Sequence, residues 1–303
     1  MLRKFILGIR VDAKKTLIKA VFYSLRVAAN AVADGLYFAI ILPLLLLPSR
    51  TLARIKRALS PTVRLDYANA IIKLHADSLM NLIRARACEK EPETVQWIEE
   101  YVQAGDVVYD VGANVGAYSL IASKCLRGRV NVYAFEPSFS TYNQLCRNII
   151  LNHCEDSVHP FLLALTASTG MVEFEYRSLE AGDAEHVLSG QVTGATDGRV
   201  PAYRQQLLGY SLDDLVGELG FPRPGHIKLD VDGSELAVLR GAAETLRSGF
   251  VKSILVEVRR QDGYAEQVHS LLLDAGFELV SEYDRGDGVI WNQIYKHVRS
   301  PKG

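Results

Sequence analysis

The chain has 303 residues, of which 49% are hydrophobic and 23% charged, with 34 Lys and Arg against 35 Asp and Glu. This composition excludes a disordered tail, a collagen and a small disulfide scaffold, and the length suffices for a large α/β domain. Residues 1–60 hold eleven bases and two acids, whereas the other 243 residues hold 23 bases and 33 acids. Nucleic-acid binding needs Lys and Arg to replace phosphate counterions, so this acidic body argues against a nucleic-acid partner. The four cysteines form no CxxC pair, which is typical of a reduced cytosolic protein.

The basic segment 1–60 contains a leucine-rich run, 36–47, broken by Pro43. A bilayer crossing needs about 20 apolar residues, and extending the run to that length takes in Asp34. An acid near the centre of a span costs about 2.5–3.5 kcal/mol, so a complete span is disfavoured. Bases on both flanks favour a re-entrant or in-plane helix at the cytoplasmic face of a membrane. The alternative is a helical extension that packs on the body of a cytoplasmic protein.

The rest of the chain is predicted as a helical lead-in, 61–104, followed by a catalytic domain, 105–303. From residue 106 onward, short β-rich runs alternate with helical periodicity, which is typical of a parallel sheet with crossover helices. The predicted fold class is α/β, a doubly wound, mostly parallel sheet of seven strands. Five parallel strands are predicted over 107–111, 131–135, 161–165, 226–231 and 253–258, and an antiparallel final pair over 277–283 and 289–298.

Helices are predicted at the end of the lead-in, over 93–102, and in the catalytic domain over 235–248 and 264–275. The stretch 177–205 is rich in glycine and aspartate and is predicted as a long loop. In an open α/β sheet, such an insertion is typical of a wall of the substrate site.

The first strand of the domain runs into a glycine turn, Asp110-Val-Gly-Ala-Asn-Val-Gly116, and then into a helix. Gly112 and Gly116 let a ligand approach the backbone, and the free N–H groups of the helix start point at the turn. Asn114 occupies the second glycine position of a dinucleotide fingerprint, and the G-K-[ST] of a P-loop is missing, which disfavours NAD and ATP. An acid at the strand end, Asp110, suits a ligand with an amine or a cationic group.

The second strand ends in Glu136, 20 residues past Gly116, where a carboxylate accepts two ribose hydroxyls. A ligand with an amino acid group for the first acid and a ribose for the second, and with no phosphate to bind, is S-adenosylmethionine. The alternative is that Asp110 and Glu136 only cap helices at strand ends. The predicted cofactor-binding residues are Asp110, Gly112, Ala113, Asn114, Gly116, Glu136 and Pro137.

With these motifs, the sequence resembles the FkbM-type methyltransferases, a branch of the class I S-adenosylmethionine-dependent enzymes. The resemblance covers residues 90–283. It is carried, in this order, by Glu91-Pro-Glu-Thr-Val-Gln-Trp97, the glycine turn, Ala134-Phe-Glu-Pro137, Ile227-Lys-Leu-Asp-Val-Asp-Gly-Ser-Glu235 and Leu239-Arg-Gly241. It implies a Rossmann-like fold and methyl transfer, usually to a hydroxyl of a sugar, glycolipid or polyketide-like acceptor. Together with the basic N-terminal segment, this suggests a small-molecule or lipid-linked glycan acceptor.

The strand 226–231 alternates, so that Lys228, Asp230 and Asp232 face one way and reach the carboxyl end of the sheet, where ligands bind. Methyl transfer to an alcohol needs a group that aligns the oxygen and removes its proton. Asp230 is the first candidate for this role, with Lys228 as its ion-pair partner. Glu257, at the end of the fifth strand, is the third catalytic candidate. The alternative for Asp230 and Lys228 is a structural pair that holds the strand end.

No required metal is predicted, although Asp230, Asp232, Glu235 and Glu257 could gather around Mg²⁺ or Ca²⁺, since hard cations take carboxylate oxygens. Two other functions stay open. The first is N-methylation of a protein or a small amine, although the sequence lacks the Asn-Pro-Pro-Tyr or Asp-Pro-Pro-Tyr run of base N-methylation. The second is a membrane-tethered module that binds the cofactor without turnover. The sequence predicts no oligomeric state.

Overall fold

The computed structural model describes residues 46–183, 186–188, 200–286 and 288–298, together with Gly35, Ala39 and Leu44. The chain separates into two units, residues 1–60 and 61–303. In the first unit, residues Ser49–Ala58 form the helix α1. No helix within the described ranges is long and apolar enough to cross a membrane. Most of the predicted hydrophobic run 36–47 lies outside the described residues.

The second unit begins with a small antiparallel sheet and three short helices. These are β1 (Thr62–Arg64), β2 (Lys73–His75), α2 (Leu79–Arg84), α3 (Ala87–Lys90) and α4 (Pro92–Tyr101). The helix α4 confirms the prediction over 93–102. Pro92 lies in its first turn, where backbone N–H groups make no intrahelical hydrogen bond, so the N–H that proline lacks is not needed. The two strands are new relative to the predicted helical lead-in, because each has only three residues and no apolar run that would mark it.

The remainder of the second unit alternates strands and helices. In chain order these are β3 (Val107–Val111), α5 (Ala117–Cys125), β4 (Asn131–Phe135), α6 (Phe139–Leu151), β5 (Val158–Phe161), β6 (Ala164–Leu165), β7 (Gly170–Tyr176), β8 (Val187–Leu188), β9 (Tyr203–Tyr210), α7 (Leu212–Gly217), β10 (His226–Leu229), α8 (Glu235–Arg240), α9 (Ala243–Arg247), β11 (Ser253–Arg259), α10 (Tyr264–Asp274), β12 (Phe277–Asp284) and β13 (Ile290–His297).

Seven of these strands form the central sheet, in the order β12-β13-β11-β10-β3-β4-β5. Neighbours from β5 to β11 are parallel, whereas β13 runs antiparallel to both β11 and β12. The predicted doubly wound, mostly parallel, seven-stranded α/β sheet is therefore confirmed, together with its antiparallel final pair. The strand order reverses between β3 and β10, which places the ligand crevice of such a sheet at their carboxyl ends.

The central sheet is buried on both faces. Val108 of β3 packs in one apolar cluster with Leu120 of α5, and Tyr109 packs in another with Leu239 of α8. Successive side chains of a strand point to opposite faces, so a parallel strand covered on both sides is apolar throughout. Burying each large apolar side chain fully contributes about 1.5–3 kcal/mol to folding. The helices on each face thereby hold the strand ends, and the site they carry, in fixed positions.

A second sheet of four strands, in the order β6-β9-β7-β8, follows the third parallel strand. The prediction of a continuous loop over 177–205 is wrong where β8 and the start of β9 fall within it. Residues 184–185 and 189–199 of that stretch lie outside the described residues. The antiparallel pairing of β7 with β9 explains the miss, because these strands are far apart in sequence and no short turn signals their contact.

Two further predictions need correction. The third parallel strand is Val158–Phe161, whereas the prediction was 161–165. The helix predicted over 235–248 is interrupted at Gly241. Gly241 lies so close to the backbone of Thr166 that a Cβ on Gly241 would be 2.0 Å from the Thr166 carbonyl oxygen. The helix after Gly263 is confirmed as Tyr264–Asp274.

Candidate active site

A cavity of about 320 Å³ opens at the carboxyl ends of the parallel strands, beside the point where the strand order reverses. The glycine turn and the end of β4 form one wall, and the ends of β10 and β11 form another. Residues of the lead-in and of the second sheet complete the lining of the cavity. The lining residues used below are Gly112, Asn114, Glu136, Pro137, Asp183, His186, Leu188, Asp230, Asp232, Glu257, Arg259, Arg285, Arg84 and Lys90. Because Asp183, His186 and Leu188 come from the stretch 177–205, the described part of that stretch agrees with the predicted substrate wall.

The glycine turn brings the backbone of β3 against the backbone that follows β10. Gly112 has a φ of +81°, and a Cβ at this position would lie 1.8 Å from the carbonyl oxygen of Asp230. The backbone N–H groups of Gly112 and Ala113 both donate to the Phe135 carbonyl oxygen. Gly116 plays a different part, since a Cβ there would meet the Leu145 side chain of α6 at 2.5 Å. Gly112 therefore shapes the cavity, and Gly116 allows close helix packing.

Glu136 is fixed by the backbone at the edge of the cavity. Its carboxylate accepts hydrogen bonds from the N–H groups of Asn114, at 2.9 Å, and Ser138, at 2.8 Å. Burial raises the pKa of Glu136 to about 7, although both hydrogen bonds oppose the shift. A carboxylate has about four lone-pair sites, so two remain to accept further donors. This is the geometry expected of a group that binds a pair of ribose hydroxyls.

Asp110 lies behind the cavity wall. It is 2% exposed, and its Oδ2 accepts from the Ser119 hydroxyl at 2.5 Å. Its Oδ1 has no hydrogen-bond partner and lies 3.7 Å from Nζ of Lys228. Burial raises the pKa of Asp110, and the nearby lysine only partly offsets this. The structure thus places Asp110 as a buried partner of Lys228, whereas the sequence suggested direct contact with a ligand amine.

Lys228 is also buried, and it joins two carboxylates. Its Nζ donates to Oδ2 of Asp230 at 3.1 Å, which confirms the predicted ion pair. The side chain is 2% exposed and does not line the cavity, so its predicted catalytic role is indirect. Lys228 holds Asp230 in place from behind.

Three carboxylates face the cavity at the ends of β10 and β11. Oxygens of Asp230, Asp232 and Glu257 lie within 4.8 Å of one another. Asp232 has a φ of 52° and is followed by Gly233 at 103°, a turn that returns the chain toward the cavity. Sequence reasoning named all three residues, and the structure brings them together.

The environments of the three carboxylates separate their pKa values. Burial opposes ionisation of Asp230, but the positive charges of Lys228 and Lys90 prevail and lower its pKa. Burial and the negative charge of Asp230 raise the pKa of Asp232 to about 6. The same two causes raise the pKa of Glu257 well above its ordinary value. The positive charges of Lys228 and Lys90 therefore favour the ionised form of Asp230, whereas burial favours the protonated forms of Asp232 and Glu257.

The predicted metal ligand Glu235 points away from this group. Its carboxylate accepts from the N–H groups of Val231 and Gly233 and, at 2.6 Å, from the Tyr264 hydroxyl. It is buried at the start of α8 and is not among the described residues that line the cavity. Within the described ranges, the acids with the spacing of a hard-cation site are Asp230, Asp232 and Glu257.

Protein cations already contact two of these acids. Lys228 pairs with Asp230, and Arg285 lies 3.4 Å from Glu257. Arg285 also pairs with the buried Glu91 at 2.8 Å, which ties the β12–β13 turn to the lead-in. Sequence reasoning quoted Glu91 within a motif but gave it no role, and it missed Arg285 because the contact joins residues far apart in the chain.

The Methyltransferase FkbM domain matches residues 110–279. The chain belongs to this family. Among curated FkbM-like proteins, it is 30% identical over 182 residues to hexuronic acid methyltransferase AglP of Haloferax volcanii, covering 60% of this chain and 67% of that protein. It is 29% identical over 201 residues to 31-O-demethyl-FK506 methyltransferase FkbM of Streptomyces tacrolimicus, covering 60% of this chain and 76% of that protein. Membership of this family confirms the predicted methyltransferase and argues against the alternative of a module that binds the cofactor without turnover.

S-adenosylmethionine is the methyl donor of this FkbM-family enzyme, and the cavity fits it. Gly112, Asn114, Glu136 and Pro137 line one wall of the cavity, and the free acceptor sites of the Glu136 carboxylate would suit the ribose hydroxyls of the donor. When bound, the donor supplies an electrophilic methyl group. Gly112, Asn114, Glu136 and Pro137 would hold the donor, and Asp230, Asp232 and Glu257 lie on the wall formed by the ends of β10 and β11.

Proposed function

We propose that this FkbM-family enzyme O-methylates a hydroxyl of a sugar, glycolipid or polysaccharide-type acceptor. The observation that carries the proposal is the group Asp230, Asp232 and Glu257, which faces the cavity beside the donor wall. A sugar presents several hydroxyl donors, and carboxylates are suited to accept them. The names of the two relatives, one for a hexuronic acid and one for a 31-O-demethyl substrate, support an oxygen acceptor and a sugar.

In this proposal the three acids have different roles in methyl transfer. The acceptor hydroxyl must lose its proton as its oxygen attacks the methyl group, and a base whose pKa lies near the working pH does this best. Glu257 and Asp232 have raised pKa values, so one of them takes the proton. Asp230, held ionised by Lys228, orients the hydroxyl. The sequence ranked Asp230 first as base or acceptor-orienting group, and this proposal gives it the orienting role.

The test is methyl transfer by the full chain, with S-adenosylmethionine and a panel of methyl glycosides, sugar acids and glycolipids, followed by NMR of the product. We expect a methyl ether. We also expect Glu257→Gln or Asp232→Asn to lower kcat by about 10²–10⁴-fold while the affinity for S-adenosylhomocysteine stays unchanged. Glu282→Gln is the matched control, because Glu282 pairs with Arg260 at the surface. A product methylated on nitrogen in a parallel amine panel would replace this proposal with the N-methyltransferase alternative.

We also propose that residues 1–60 attach the enzyme to the cytoplasmic face of a membrane, where the acceptor is a lipid-linked glycan. In α1, the bases Arg50 and Arg54 share one face, Leu52 and Ile55 lie on the opposite face, and the first turn holds no acid. A basic amphipathic helix of this kind is typical of an in-plane membrane helix.

The membrane proposal is tested by co-sedimentation of the full chain with vesicles. Each base near an anionic surface contributes about 1 kcal/mol, so replacing Arg50 and Arg54 with Gln is expected to lower partitioning into phosphatidylserine-containing vesicles about 30-fold. Vesicles of phosphatidylcholine alone are the control. Full-length protein that stays in the supernatant with both vesicle types would contradict the proposal.

A further inference from the structure

The guanidinium of Arg259 belongs to the cavity lining and receives no counter-ion from the described part of the chain. Arg259 is the last residue of β11, is half-buried and lines the cavity. Among the residues that the structure describes, no carboxylate forms an ion pair with it, and no side chain hydrogen-bonds to it. Its cavity neighbour Arg285, by contrast, pairs with both Glu91 and Glu257. A half-buried cation whose five N–H donors are unused is suited to bind an anion.

The strand geometry places Arg259 beside the proposed acceptor hydroxyl. Glu257 and Arg259 are two residues apart on β11, so their side chains share one face of the sheet. Both line the cavity, whereas Val258 between them is buried in the core on the other face. Two residues of a strand span roughly 6.6 Å, which is comparable to the width of one monosaccharide ring. A sugar with a hydroxyl at Glu257 therefore brings a neighbouring substituent to Arg259.

A second, largely unused guanidinium belongs to the same cavity. Arg84 of α2 donates through Nε to the Gly182 carbonyl oxygen at 2.9 Å, and none of its other N–H groups has a partner within the described ranges. Both Arg84 and Arg259 act on Asp232, whose pKa their charges lower against the larger effect of burial. Asp232 is thus influenced by two cations of the cavity lining for which the residues within the described ranges supply no ion pair.

We propose that Arg259 binds an anionic oxyacid substituent of the acceptor, so that the enzyme selects a negatively charged sugar over a neutral one. A guanidinium fork matches the two oxygens of a carboxylate or phosphate and forms charge-assisted hydrogen bonds with them. The inference rests on the proposed function only for the identification of the acceptor as a sugar. Arg259 is then the residue that determines specificity, and Glu257 or Asp232 remains the base.

The experiment measures binding of D-glucuronate, D-glucose 6-phosphate and D-glucose to the full chain saturated with S-adenosylhomocysteine, by NMR titration. For the wild-type protein we expect at least one of the two anionic sugars to bind about tenfold or more tightly than glucose. Arg259→Gln is expected to remove this preference and to leave the affinity for S-adenosylhomocysteine unchanged. Arg260→Gln is the matched control, because Arg260 lies over the Trp291 ring and pairs with Glu282.

The outcomes separate this inference from the proposed function. Equal binding of all three sugars by the wild-type protein overturns the inference. An Arg259→Gln variant that binds S-adenosylhomocysteine more weakly assigns the guanidinium to the carboxylate of the donor, and also overturns it. If glucuronate or glucose 6-phosphate binds in an Arg259-dependent manner but no sugar is methylated, the anion site stands and the O-methylation proposal fails.

Discussion

Replacing Gly112 with alanine is expected to destabilise the protein by about 2–4 kcal/mol and to abolish binding of S-adenosylhomocysteine. At a φ of +81°, the new Cβ would lie 1.8 Å from the Asp230 carbonyl oxygen and 3.3 Å from the Val231 side chain. The first contact is to the backbone, so movement of a flexible side chain cannot relieve it. The strand ends must separate, which displaces Asp230 from its contact with Lys228. Urea unfolding and calorimetric titration with S-adenosylhomocysteine measure the two effects.

Gly128→Ala is the matched control for this substitution. Gly128 has a similar φ of +75°, but a Cβ there meets nothing within 4 Å. We expect a cost of about 1–2 kcal/mol, from the left-handed backbone alone, and unchanged cofactor binding. If Gly112→Ala and Gly128→Ala were equally stable and both bound S-adenosylhomocysteine, the close approach of β3 to the residues after β10 would not exist in solution.

The central strands were predictable because each is a short, apolar run flanked by helical periodicity. The runs 107–111, 131–135 and 253–258 match β3, β4 and β11 within a residue, since a strand covered on both faces needs apolar residues throughout. The third strand was displaced because the apolar run 161–165 is divided between two sheets. Phe161 ends β5 beside β4, whereas Ala164 and Leu165 pair with β9.

Pro160 shows why the local sequence does not indicate the strand β5. A proline lacks the N–H that a central strand needs, so Pro160 is atypical of a central strand. In the structure β5 is an edge strand whose neighbour in the sheet is β4, and one side of its ladder needs no donor. The edge position is a property of the whole sheet, and no residue near Pro160 reveals it.

The candidate site was predictable where it follows from strand ends. Gly112, Glu136, Asp230 and Glu257 all line the cavity, because the carboxyl ends of parallel strands meet at one edge. The placement of Asp110 depends instead on register. Asp110 of β3 lies directly opposite Lys228 of β10, so the two side chains share a buried face.

Register between distant strands cannot be read from a single sequence, and the same holds for the contacts of Arg285. One signal was available for Arg259. It stands two residues after Glu257, one position beyond the predicted strand 253–258, and a strand period of two that continued to Arg259 would place both on one face. Whether that face carries a counter-ion for the guanidinium required the structure.

Replacing Lys228 with methionine is expected to destabilise the protein by about 3–5 kcal/mol at pH 7. Methionine keeps the length and apolar character of the side chain, so the change removes the charge that serves the buried acids Asp230 and Asp110. Breaking a buried pair by removing one partner leaves an uncompensated charge, which costs far more than an exposed pair contributes. The measurement is the free energy of unfolding in urea for both proteins across a pH series.

The pH dependence of this difference identifies its cause. In the wild-type protein the pKa of Asp230 is lowered, so the stability from its pairing is present above its unfolded pKa, near 4, and is lost as the pH falls below that value. In the variant the two acids lose the buried cation Lys228, which contacts both of them, and therefore bind protons at higher pH. The difference in stability between the two proteins should therefore shrink steadily from pH 7 toward pH 4.

Lys252→Met supplies the comparison with an exposed pair. Lys252 lies 2.6 Å from Asp106, and its side chain is 46% exposed, so its loss should cost about 1 kcal/mol or less. A cost for Lys228→Met that equals this value, or that does not change with pH, would show that the pair of Lys228 and Asp230 is solvated. Asp230 would then need no cation behind it, and its pKa would not be held low. The division of roles in which Glu257 or Asp232 takes the proton depends on that lowered pKa, so the same measurement tests the assignment of the base.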